Sequence, residues 1–229
     1  MPRRTSALLS LLLLVPAPSI GVLFGMFWFE GQPLGQAVWA ATKVWLVALP
    51  IVWWVLVDRR RPSWSPMHRG GVAAGMITGL AICVVIIAAY ALLGRRLIDV
   101  EQARAQLQSV GLGSMLRYLL MCAFWVFVNS VIEEYVWRWF VYVKLRDLAG
   151  GAAAVVLSAA AFTLHHVFAL GANFHWQPLV VAAGSLGVFV GGVTWSALYH
   201  RYGSVWPGWI SHAWADVGVF AVGWWILFG

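Results

Sequence analysis

Apolar residues fill most of this chain in long unbroken runs, and polar positions gather between the runs. Seven runs are long enough to cross a bilayer as helix: residues 7–29, 37–57, 71–93, 118–143, 151–170, 179–200 and 206–228. A hydrocarbon core of about 30 Å takes about 20 apolar residues at helical rise. The first run contains Pro16 and Pro18, and proline lacks the amide donor a helix needs, so a break, a kink or a re-entrant start is expected there. Between the third and fourth runs, Val100, Ala103, Leu107 and Val110 share one helical side, with Glu101, Arg104 and Gln108 elsewhere. An interfacial amphipathic helix is expected at 100–110, with a solvated loop as the alternative.

Composition narrows this to one class. The 229 residues are 62% hydrophobic and only 10% charged, outside the range of a soluble domain. The fold class expected is an all-α polytopic transmembrane helical bundle of about seven spans, forming a single integral membrane domain over 1–229. The net charge of +7 does not point to nucleic acid, because the Lys and Arg residues lie mainly in short segments between apolar runs. That pattern orients a chain against anionic lipid, so the bilayer is the expected partner. With a cytoplasmic N-terminus, "MPRR", "DRRRP", "KLRD" and "HRYG" fall inside, while "EGQPLG" and "GANFHWQP" fall outside. "GRRLIDVEQAR" is the exception, basic yet outside. The N-terminal "MPRRTSALLSLLLLVPAPS" has the layout of a signal peptide, but apolar character continues to Phe29, so an uncleaved first span is expected. Cys83 and Cys122 fall within apolar runs without metal or disulfide spacing and are read as packing residues.

Charged groups at membrane depth cost a few kcal/mol each on insertion scales, so they face the bundle interior and mark sites. Three of the last four runs carry them. In the fourth, Glu134 and Arg138 are four apart on one face, acid first, the better order for an ion pair. Glu133 lies about 100° around the helix, so Arg138 cannot serve both acids equally. Glu133 keeps a free oxygen suited to general-base work, and Asn129 extends its polar stripe. In the fifth, Ser158, Phe162 and His166 share a face, with His165 beside it; in the seventh, His212 and Asp216 are four apart. A lone membrane histidine is more often a helix-to-helix hydrogen bond than a catalyst, but two adjacent ones opposite paired carboxylates favour chemistry. Counted from a turn near Ala149, Glu133 lies 16 residues before and His166 17 after, so an antiparallel hairpin brings them level. The same count from Trp206 puts His212 and Asp216 shallower.

Glu133-Glu134-x-x-x-Arg138, Phe162-x-x-x-His166 and "GSVWPGWISHAWAD", ending in His212-x-x-x-Asp216, together resemble the CAAX protease and bacteriocin-processing (Abi) family of intramembrane glutamic endopeptidases. The similarity covers about residues 118 to 228. It implies a catalytic core in the last four spans, 118–229, preceded by N-terminal spans and loops over 1–117. It also implies a multi-pass protein of the bacterial inner membrane, acting on a membrane-associated peptide or protein. By the same resemblance, Glu133 activates water, His166 helps hold it, Glu134 and Arg138 shape the site, and His212 with Asp216 stabilises the oxyanion. The family more often has Asn at the position of Asp216; an ionised Asp repels an oxyanion, so Asp216 either carries its proton or fixes the tautomer of His212. Family spacing selects His166, leaving His165 to face a neighbouring span or the substrate channel.

Peptide hydrolysis needs a water, a base and oxyanion donors, so no cofactor and no metal is expected. The rival is a zinc protease built from His165, His166, His212 and a carboxylate, against which stand the missing HExxH and the diverging directions of adjacent histidines on a helix. A membrane scaffold or self-immunity protein, binding peptide without cutting it, and a proton-coupled transporter are the non-protease alternatives.

Overall fold

The computed structural model describes residues 1–61 and 65–229, all helices and connections with no strand among the described residues. The basic "DRRRP" segment ends at Pro62, which lies outside the described residues. Among the described residues, seven helices have the length and apolar character to cross a membrane: Arg3–Trp28, Pro33–Val57, Val72–Leu97, Met115–Ala149, Gly151–Asn173, Pro178–Tyr202 and Val205–Phe228. They are called here the first to seventh spans. Their outer faces are strongly apolar, with Ile77, Leu120 and Leu186 among many exposed aliphatic side chains. A soluble protein rarely exposes so much contiguous apolar surface, whereas acyl chains cover it without cost. The chain is an integral, multi-pass membrane protein.

The prolines of the first span interrupt its hydrogen-bond ladder without ending it. Val15 stays helical at φ −60° and ψ −38°, Pro16 occupies the first position of the next helical segment, and one continuous span results. The amphipathic helix forms at Val100–Ser109, capped by Asp99, whose carboxylate accepts from the Gln102 amide at 3.0 Å. Its Arg104 donates from Nε to the Ile226 carbonyl at 2.8 Å, satisfying a C-terminal carbonyl of the seventh span.

The fourth span is the axis of the fold. Its 35 helical residues reach beyond the expected end at 143, giving about 50 Å of helix, more than the hydrocarbon needs. The extension survives because Lys144 is buried: its ammonium meets Asp58 Oδ2 at 2.5 Å and donates to Ser6 Oγ at 3.2 Å. Ser6 in turn donates to Asp58 Oδ1 at 2.6 Å and accepts from Trp53 Nε1 at 2.9 Å. This clasp ties the first, second and fourth spans at one end of the bundle. Two stretches of the same helix, Trp125–Asn129 and Tyr135–Tyr142, are π-helical and flank the Glu133–Glu134 pair. The wider i→i+5 winding recurs at functional sites.

At Gly150, with φ 85°, the chain turns from the fourth span into the fifth; an L side chain is strained in that conformation. The third span packs along the seventh through Gly75 and Gly79, where a Cβ would come within 2.5 Å of Pro207 O and 2.8 Å of Ser211 Cα. Thr78 Oγ1 donates to Ser211 Oγ at 3.0 Å, and Trp195 Nε1 on the sixth span donates to the same oxygen at 3.1 Å. These contacts fix the register of the seventh span and present His212, the next residue, to the fourth.

Candidate active site

The fourth, fifth, sixth and seventh spans meet around Glu133 and Glu134. Asn129 Nδ2 donates to Glu133 Oε1 at 2.9 Å, as expected for residues four apart on one face. That bond orients the carboxylate and turns Oε2 toward His212, whose Nε2 is 3.6 Å away. Glu134 and Arg138 are fully buried, with Oε1 and Nη1 2.9 Å apart. The guanidinium also lies over the rings of Phe162 at 4.8 Å and Trp195 at 5.0 Å, and Nη2 donates to the Gly192 carbonyl at 3.5 Å. Two aromatic faces, one acid and one carbonyl thus surround a charge buried from the surface.

His212 is placed by Trp195 and Glu134. Its ring stacks on the indole at 3.8 Å and 11°, and Nδ1 lies 3.0 Å from Glu134 Oε1. A carboxylate accepts, so Nδ1 carries a proton and Nε2 is the nitrogen left facing Glu133. Asp216 Oδ1 stands 3.8 Å from that same Nε2, beyond hydrogen-bond range. The depth count put His212 shallower than Glu133; the contacts put it beside both glutamates. Part of the reason is the fourth span itself, where eight of the residues between Glu133 and the turn are π-helical. Winding more residues into each turn shortens the rise and draws Glu133 toward the depth of His212.

On the fifth span, His166 Nδ1 bonds the Phe162 carbonyl at 3.0 Å. Carbonyl oxygen only accepts, so Nδ1 is protonated and Nε2 is free to accept from a water. Phe162 is buried between Arg138 and the His166 ring, whose centroid is 4.5 Å from its own. Ser158 Oγ donates to the Trp137 carbonyl at 2.9 Å, locking the fifth span to the fourth. His165 does not diverge from its neighbour as adjacent helical positions suggest. Stacked at 9° on Trp137, it swings inward until the two imidazole centroids are 4.0 Å apart. Glu133, His165 and His166 each offer a ligand atom, all within 4.8 Å of one another.

All nine residues singled out in the sequence therefore lie in or against this one cluster. The sixth span was silent in the sequence because what it supplies is neutral: the Trp195 ring and the Gly192 carbonyl. Gly208 was missed for a similar reason. A Cβ there would fall 2.5 Å from Glu134 Oε2, so only glycine lets the seventh span approach the buried acid.

Several buried polar atoms in the cluster have no protein partner: Glu134 Oε2, Arg138 Nε and His165 Nδ1. Buried groups are normally satisfied, and such exceptions mark places where something else binds or reacts. Residues 115–218, from the fourth span to the middle of the seventh, match the Rce1-like family, described as type II CAAX prenyl endopeptidase. The chain is similar to that family over this segment. Rce1-like proteins are proteases, and the similarity supports a CAAX-type intramembrane protease kind of function. No curated protein and no solved structure matches the chain.

Proposed function

We propose that the chain hydrolyses a peptide bond near the C-terminus or membrane anchor of its substrate by a glutamate-activated water. The observation that carries this reading is Glu133 itself, oriented by Asn129 through one oxygen and open to a reactant through the other. His166 Nε2 holds the water by accepting one of its hydrogens. Glu133 takes the other as the water oxygen bonds to the scissile carbonyl carbon. The oxyanion formed there is met by His212 Nε2, which donates to it when the ring carries its second proton. Glu133 then passes its proton to the leaving amine nitrogen as the C–N bond breaks. Glu134, held by Arg138, fixes the orientation of His212, and Asp216 sets the charge beside Nε2. The low dielectric of the enclosed site strengthens each of these contacts. The N-terminus is cytoplasmic in this reading, and the catalytic core spans 118–229 behind the N-terminal spans of 1–117.

The convergence of Glu133, His165 and His166 favours a second reading, a hydrolytic zinc at those three groups. One experiment separates the two. Purified protein and its Glu133→Ala variant are incubated with membrane-anchored peptides, with and without chelator, and products are read by mass spectrometry. Cleavage that persists in chelator and disappears in the variant supports the glutamate mechanism. Cleavage abolished by chelator and restored by zinc supports the metal, and binding without cleavage supports a scaffold or immunity protein.

A further inference from the structure

Pro33–Val57, the second span, carries a single charged residue, Lys43. It stands ten residues from one end of the helix and fourteen from the other, about 15 and 21 Å, near the middle of the hydrocarbon. A lysine at that depth is costly and is normally paired or functional. Among the described residues no carboxylate forms an ion pair with Lys43, whose partners are aromatic faces. The ammonium lies 5.3 Å from the ring centroid of Trp39, on its own helix, and 5.7 Å from that of Trp125, on the fourth span. It is also close enough to interact electrostatically with Glu133, His165 and His166. The second span lies outside the segment that matches the family, so the family assignment says nothing of this residue.

A half-buried cation near the catalytic groups, set against two indoles and with no carboxylate in ion-pair contact among the described residues, can receive one. We infer that Lys43 anchors the substrate's C-terminal carboxylate and so places the scissile bond over Glu133. The inference rests on the peptidase reading above. A free carboxylate is the anion a C-terminal tail always carries, and pairing it with Lys43 offsets the cost of bringing both charges to membrane depth.

The test uses an S-prenylated peptide ending Cys-Val-Ile-Met and its C-terminal carboxamide, with binding measured first in the inactive Glu133→Ala background. The carboxylate form is expected to bind about tenfold tighter than the amide, the ratio falling to about one on adding Lys43→Met and returning with Lys43→Arg. In otherwise unaltered protein, Lys43→Met is expected to raise KM for the carboxylate peptide by a similar factor. Equal binding of the two peptides, binding of neither, or a preference that survives Lys43→Met overturns the assignment. So does a fall in kcat for both peptides at unchanged KM, which would make Lys43 an electrostatic support for Glu133. If Lys43-dependent preference is seen but the Glu133 protein cleaves neither peptide, the anchor stands and the glutamate reading fails.

Discussion

Two buried ion pairs involve the same long helix, one within it and one reaching from it to the end of the second span, and they differ in how completely they are satisfied. Lys144 and Asp58 close a small loop with Ser6 and Trp53, and none of those four side chains is left with an unpaired buried atom among the described residues. Glu134 and Arg138 are more deeply enclosed, yet Glu134 Oε2 and Arg138 Nε have no partner. The first pair is arranged as a fastening between spans. The second leaves polar capacity beside a histidine and a second glutamate, as a site must if it is to gain and lose contacts during a reaction. Burial alone therefore does not separate structural from functional charge in this membrane; the accounting of donors and acceptors does.

The sharpest way to break that comparison is Arg138→Ala. It leaves Glu134 in a dry site without its counter-charge, and a loss of about 3–5 kcal/mol is expected together with activity, seen as a fall in detergent unfolding temperature and in expression. Survival of a stable, active protein would mean that Glu134 is carried neutral and that the pair is not the support proposed for His212. His166→Ala probes the site without disturbing the pair. Loss of about 10²-fold or more in turnover is expected with an unchanged unfolding temperature, and His165→Ala should cost less because its ring is held by Trp137 rather than aimed by a backbone bond.

Gly208→Ala tests how closely the seventh span must approach. The new methyl would meet Glu134 Oε2, so destabilisation of about 1–3 kcal/mol is expected, with lower activity from a displaced His212. The smallest effect is expected at the clasp. Replacing Asp58 and Lys144 together by Leu and Met should change stability by about 1 kcal/mol or less, whereas Asp58→Ala alone strands the lysine and should cost more. Thermal unfolding of the single and double variants gives the coupling directly. A double variant as damaged as the single one would make the clasp more than a fastening.

Much of the fold was legible because membrane spans obey a length rule and a hydropathy rule together. The end of the fourth span was not: Lys144, Arg146 and Asp147 read as a loop, and nothing local announces that Lys144 will be buried against an acid 86 residues earlier. The polar half of the candidate site was legible for the opposite reason, since Glu133, Glu134, Arg138, His166 and His212 stand out against an apolar background. What escaped notice was the material that positions them. The Trp195 ring, the Gly192 carbonyl and the space beside Gly208 carry no charge, and their roles depend on contacts between spans that no single span encodes. The convergence of His165 with His166 escaped too, because it follows from stacking on Trp137 rather than from helical phase. Lys43 was readable as an isolated charge in the second span, but its neighbourhood with Glu133 needed the packing of the second span on the fourth.

The π-helical stretch between Glu134 and Lys144 couples the two ion pairs in phase. Tyr135–Tyr142 holds its residues in wide turns between Glu134 and Lys144, so the angular offset between the glutamate face and the clasp depends on the count of residues there. Removing one residue and letting the stretch relax would turn one end about 100° against the other, the angular step of a single helical position. The second span, anchored to the clasp through Asp58, carries Lys43. A length change in that stretch would therefore act as a slipped gear tooth, with every side chain intact and the proposed anchor Lys43 no longer aligned with Glu133.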